Sequence, residues 1–158
     1  MMTSGIVLER PGEKPLQLTE LVLDFTGTLA LDGQLLPGVA ERLTKLAERM
    51  RIVVLTADTF GTARSVLKDL PVEVHVVETG SDKEIDIVRT IGASKLAVIG
   101  NGRNDLPVMN LADLRIAVIG PEGCSARLIG AADVVVRDVC DALDLLANPL
   151  RLKATLRG

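Results

Sequence analysis

Short aliphatic runs with no polar interruption, alternating with segments of helical periodicity, leave this chain few folds to adopt. Leu21-Val22-Leu23-Asp24-Phe25, Ile52-Val53-Val54-Leu55, residues 72–77, Leu96-Ala97-Val98-Ile99, residues 116–119 and Val134-Val135-Val136 are strand-length runs. A strand that is apolar at successive positions is buried on both faces, which is the mark of a parallel sheet covered by helices. The segments between them fit such helices. After Pro37-Gly38, the residues Val39, Leu43, Leu46, Ala47 and Met50 share one face, with Glu41, Arg42, Lys45 and Glu48 on the other. Helices are likewise expected over 62–70, stopped by Pro71, and over 82–91, ended by Gly92. Others are expected around 105–112 and 124–131. A C-terminal helix over 138–158 opens near Asp138 and is kinked or broken by Pro149. The expected fold class is α/β: a doubly wound, Rossmann-like parallel sheet with helices on both faces.

Residues 1–19 stand apart from that rhythm. Ile6-Val7-Leu8 and Leu16-Gln17-Leu18 flank Pro11-Gly12-Glu13-Lys14, the pattern of a small β-hairpin appended before the sheet. A chain of 158 residues suits one well-buried domain, expected to span 1–158. Its core must be aliphatic, because aromatic residues make up 1% of the chain and only Phe25 and Phe60 are present. That scarcity removes the stacking platforms of single-stranded nucleic-acid binders. A net charge of −3, from 18 basic and 21 acidic residues without a basic block, argues against nucleic acid or an anionic membrane as partner. No run approaches the roughly 18–20 apolar residues of a membrane span. Cys124 and Cys140 lack metal-ligand spacing and read as small buried residues in a reducing cytoplasm.

In an open parallel sheet, ligands bind beyond the carboxyl ends of the strands. Three polar clusters fall at such ends. Asp24-Phe25-Thr26-Gly27-Thr28-Leu29 follows the first strand, Thr56-Ala57-Asp58 the second, and Gly100-Asn101-Gly102-Arg103-Asn104-Asp105 the fourth. Lys83 opens the helix that precedes the fourth strand. A Thr-x-Asp alone is an ordinary helix cap, and Asp58 reads as one. His75, in the third strand, reads as structural. The order of the three clusters along one alternating fold makes a specific signal.

The first cluster resembles the D-x-T-G-T motif of P-type ATPases, within the haloacid dehalogenase-like superfamily. Thr56-Ala57-Asp58 is similar to their T-G-D, with Ala57 in place of glycine. Gly100 to Asp105, followed by Leu106-Pro107-Val108-Met109, resembles their G-D-G-x-N-D-x-P-x-L segment. The resemblance covers roughly residues 20–140. It contains no nucleotide-binding domain between the first two motifs, no membrane helices and no cap domain, so the match is to the soluble, capless, P-type-ATPase-like phosphatases.

That resemblance implies a Mg²⁺-dependent phosphohydrolase acting through an aspartyl-phosphate on a small phosphorylated molecule. Asp24 is implied as nucleophile. Mg²⁺ is implied between Asp24, the carbonyl of Thr26, and the Asn101/Asp105 cluster. Thr56 and Lys83 are implied to neutralise and orient the phosphate, with Gly27, Thr28, Ala57 and Asn104 as further substrate contacts. Two departures lower the expected turnover. Thr26 stands where the family's phosphatases carry an acid–base Asp, and loss of a positioned acid–base costs ~10²–10⁴-fold. Asn101 stands where the pattern has a metal-binding Asp. A phosphate-binding regulatory module with little turnover, or a soluble partner of a membrane transporter, are the alternatives. Without a cap, the site is expected to be covered by self-association, and the protein to be a cytoplasmic homo-oligomer.

Overall fold

The computed structural model describes residues 4–91 and 95–157; the expected helix stop at Gly92 lies outside them. Six strands form one sheet in which every pairing is parallel. In chain order they are β3 (Glu20–Asp24), β6 (Arg51–Thr56), β7 (Glu73–Val76), β8 (Leu96–Gly100), β9 (Leu114–Val118) and β10 (Val134–Val136). Across the sheet the order is β10-β9-β8-β3-β6-β7. The chain therefore starts in the middle, builds outward through β6 and β7, then returns to the other side of β3 for β8, β9 and β10. The crevice where the direction reverses lies between β8 and β3, and this is where such sheets bind ligands.

Alternate residues of the central strands feed two separate cores. Leu21, Leu23, Ile52, Val54, Ala97 and Ile99 pack against α1 (Val39–Leu46), α2 (Ala63–Leu67), α6 (Val139–Ala147) and α7 (Pro149–Leu156). Val22, Val53, Leu55 and Val98 pack against α3 (Asp82–Ile91), α4 (Leu106–Met109) and α5 (Ala126–Ala131). Burial on both sides explains why the strands lack a polar alternation. The C-terminal helix is divided at Asn148 into α6 and α7, as Pro149 at the first position of a new helix requires.

The hairpin is present as β1 (Ile6–Leu8) and β2 (Leu16–Leu18), antiparallel, with Ile6, Leu8 and Leu18 in the first core. A second small ribbon, β4 (Ala30–Leu31) with β5 (Gln34–Leu35), was not expected. Its signal is Asp32-Gly33, both with positive φ, the residue pair of a tight two-residue hairpin turn. This four-residue pairing is the largest β insertion between Asp24 and Thr56, so the edge of the sheet above Asp24 carries no cap among the described residues.

Candidate functional site

The carboxyl ends of β3, β6 and β8 bring Asp24, Thr56 and Asn101 to one cleft of about 580 Å³. Thr26, Ala57, Thr59, Thr79, Gly102, Arg103, Asn104, Glu122, Gly123, Cys124 and Ser125 complete its lining. The register fixes this meeting: Asp24 pairs with Leu55, one residue before Thr56, while Leu23 pairs with Ile99, two before Asn101.

The turn after β3 is built from its own backbone. The amides of Thr28, Leu29 and Ala30 all point to the Phe25 carbonyl, and the Gly27 amide to that of Ala30. Gly27 has φ +79°, and a Cβ there would stand 2.8 Å from Asn101 Nδ2, so both conformation and space demand glycine. This arrangement corrects two expected substrate contacts. The amides of Gly27 and Thr28 are spent inside the turn, and the fully buried Thr28 hydroxyl donates to Asn101 Oδ1 at 3.2 Å. Both residues shape the turn without lining the cleft. Thr26 does line it.

Thr56 is 1% exposed, and its Oγ1 accepts the Asp58 amide at 2.9 Å. That bond leaves the hydroxyl proton available to an anion in the cleft. Asp58 Oδ1 accepts the amides of Thr62 and Ala63, the open donors at the start of α2, so it is the cap that its spacing suggests. Ala57 and Asn104 line the cleft, with Asn104 Nδ2 donating to Thr79 Oγ1.

The turn after β8 hangs on Asp105. Its Oδ2 accepts the amides of Asn101 at 3.1 Å and Gly102 at 3.0 Å. Gly100 is required beneath it, since a Cβ would meet Asp105 Oδ2 at 2.6 Å. Asn101 acts as a strut: its Oδ1 accepts from Thr28 and its Nδ2 donates to the Gly123 carbonyl at 3.3 Å.

Lys83 is not in the site. It is exposed and lines a different hollow with Arg51, His75, Asp86, Ile87, Thr90 and Ile91. The residue that α3 turns toward Asp24 is Glu84, 2% exposed, with Oε1 accepting the Gly80 amide. Glu84, Asp24 and Asp105 share a small void of about 10 Å³, walled otherwise by Val22, Leu23, Leu55, Val98, Ile99 and Val108. The expected cation is thus replaced, at the back of the site, by a third carboxylate.

Burial raises all three, and the charge of Asp105 adds to it at Asp24 and Glu84. Asp24 is pushed well above the carboxylate range, first by burial and then by the charge of Asp105, against the bond its Oδ1 accepts from the Phe25 amide. Burial takes Glu84 to about 7. It takes Asp105 to about 6 despite the amides of Gly102 and Asn101. Three oxygen-donor acids without a basic partner among them suit a hard divalent cation. Among the described residues no three Asp, Glu, His or Cys side chains stand close enough to hold a metal alone. A cation here would complete its shell with backbone carbonyl, water and phosphate, which is how Mg²⁺ is usually held.

Sequence reasoning missed Glu84, Arg103, Glu122, Thr79 and Ser125 as site residues. Arg103 lay within a recognised motif. Glu122 and Ser125 belong to the loop after β9, where no recognised motif marks the strand end.

No protein-family model matches the chain. An uncharacterized protein of Methanocaldococcus jannaschii, MJ0073, is 54% identical over 63 residues, which are 40% of this chain and 68% of that protein. A copper-exporting P-type ATPase of Vibrio cholerae is 30% identical over 141 residues, covering 84% of this chain. The chain spans only 15% of that transporter's length. In three dimensions, the 3-deoxy-D-manno-octulosonate 8-phosphate phosphatase of Moraxella catarrhalis, solved with magnesium, phosphate and KDO, superposes with a TM-score of 0.66. The match covers 87% of this chain and 90% of that one at 17% identity, which establishes a common fold.

Proposed function

The chain belongs to the family of MJ0073, and from that premise, with its likeness to P-type ATPases and to the fold of a solved phosphatase, we propose that it is a haloacid dehalogenase-like, magnesium-dependent phosphohydrolase working through Asp24. The observation that carries this reading is the Asp24 carboxyl at the sheet's switch point, facing a polar cleft beside Thr56 with Asp105 behind it. Asp24, the Thr26 carbonyl and Asp105 would hold the ion, with Asn101 beside them. When bound, magnesium supplies positive charge to the phosphate oxygens and restores the ionised form of the raised carboxyls. The P-type ATPases and the phosphatase solved with magnesium and phosphate support the choice of chemistry.

In the proposed reaction a carboxylate oxygen of Asp24 attacks phosphorus, and the phosphorus–oxygen bond to the leaving group breaks with its electron pair going to that oxygen. Thr56 donates a hydrogen bond from its free hydroxyl to a phosphate oxygen and keeps its proton. Water then attacks phosphorus, releasing inorganic phosphate and regenerating the Asp24 carboxylate. Thr26 lines the cleft where an acid–base would help both halves, and a hydroxyl of very high pKa is a poor proton shuttle. The turnover proposed is therefore slow, and the substrate a small phosphomonoester with a good leaving group. The cleft is open, and we include in the proposal that a second copy of the chain covers it. No helix among the described residues is long and apolar enough to cross a membrane.

Acid quenching of a reaction with a labelled phosphomonoester and Mg²⁺ tests this. Phosphoprotein should be trapped from the wild type and be absent from Asp24→Asn. The uncompensated carboxylates and Thr26 favour one alternative, a phosphate-binding module without turnover. Phosphate binding with no trapped phosphoprotein would select it.

A further inference from the structure

With Lys83 facing elsewhere and Glu84 behind Asp24, the site needs another source of positive charge for a phosphate dianion. Among its described lining residues, the cleft holds one basic side chain, Arg103. The acids around it are Asp24 and Glu122 on the lining, with Glu84 and Asp105 beneath. A dianion entering such a field is repelled unless cations meet it, and the unit charge nearest the entrance weighs most.

Arg103 is well placed for that task. It opens the 3-10 turn Arg103–Asp105, whose shape is fixed by the two amide bonds to Asp105 Oδ2. The root of the side chain is held, while the guanidinium is exposed and engages no acceptor among the described residues. Arg51 and Arg42, by contrast, are tied to Glu73 and Asp144. Glu122 shares the cleft with Arg103 yet forms no ion pair with it, so the five donors of the guanidinium remain open to a ligand. Its planar fork matches two oxygens of a phosphate.

We propose that Arg103 is the anion-binding residue of the cleft, engaging from the turn after β8 the phosphate that docks on Asp24. The inference rests on the phosphohydrolase reading. It moves the phosphate-binding cation from the helix before β8 to the turn after it.

Calorimetric titration with inorganic phosphate, in the presence of Mg²⁺, tests the assignment on wild type, Arg103→Ala, Arg103→Lys and Lys83→Ala. Loss of a charge-assisted pair should weaken binding by about 10- to 100-fold in Arg103→Ala. Arg103→Lys should fall between, because it keeps the charge and loses the fork. Both replaced side chains are exposed, and circular dichroism of each variant verifies its fold. Binding in Arg103→Ala within twofold of wild type overturns the proposal. So does a loss confined to Lys83→Ala, or the absence of phosphate binding in wild type. Trapped phosphoprotein in wild type, with binding unchanged in Arg103→Ala, rejects the arginine alone. A binding loss in Arg103→Ala without any phosphoprotein retains the anion site and rejects turnover.

Discussion

Replacing Glu84 with Gln should make the protein more stable, and only above a certain pH. The amide keeps an oxygen for the Gly80 N–H and removes the charge that Asp24 and Asp105 oppose. In the folded protein the Glu84 carboxyl ionises at about 7, against an ordinary value of 4.5. That displacement corresponds to about 3.5 kcal/mol at ~1.4 kcal/mol per pH unit, and burying the Gln amide in its place offsets part of it, leaving about 1–2 kcal/mol. The sign follows from which state loses its proton first. Below pH 4.5 both states are protonated at this position and the charge costs nothing. Between 4.5 and about 7 the unfolded chain ionises first, so the wild type loses stability as pH rises. Above 7 the penalty is complete and constant. Urea unfolding in EDTA at pH 4.5, 6 and 8 should show a small gain for Glu84→Gln at the lowest pH and about 1–2 kcal/mol at the highest. An equal difference at all three values, or a loss at pH 8, would refute the idea that Glu84 is a buried, repelled carboxylate.

Other perturbations test other parts of the site. Asn101→Asp should tighten Mg²⁺ about tenfold by calorimetry, through the added charge beside Asp24, while losing about 1 kcal/mol of stability with the bond to the Gly123 carbonyl. Thr26→Asp should raise steady-state turnover by about 10²-fold or more for substrates whose leaving group needs a proton. Acid trapping should at the same time find less accumulated phosphoprotein in that variant than in wild type. Leu23→Ala, at a fully buried position of the central strand, should cost about 2–5 kcal/mol in urea unfolding without altering where phosphate binds.

The sheet was readable because burial on both faces leaves a simple sequence signature, a strand-length run of aliphatics. The strand ends were readable for a related reason: Asp24, Thr56 and Asn101 interrupt or close such runs. Lys83 shows where the reading failed. Position in the motif pointed to it, but helical phase points to its neighbour. Glu84 lies four residues before Val88 and seven before Ile91, and all three face the sheet. Lys83 shares its stripe with Ile87 and Thr90, which line the outer hollow with it. Gly27 and Thr28 failed differently. Only the closed turn reveals that their amides already have acceptors, because this depends on the positions of two backbone carbonyls, those of Phe25 and Ala30, and not on residue type. The β4–β5 ribbon was legible in Asp32-Gly33 and was overlooked beside the stronger neighbouring motif.

Asp105 combines two duties in one carboxyl group, and this has a thermodynamic consequence. Oδ2 holds the amides of Asn101 and Gly102, while the same carboxyl group borders the void shared with Asp24 and Glu84. Occupancy of the site and closure of the turn after β8 are therefore linked equilibria. A ligand that favours ionised Asp105 strengthens both amide bonds, and by reciprocity a turn held closed binds that ligand more tightly. The hydrogen-exchange protection of two backbone amides becomes a native gauge of how full the site is.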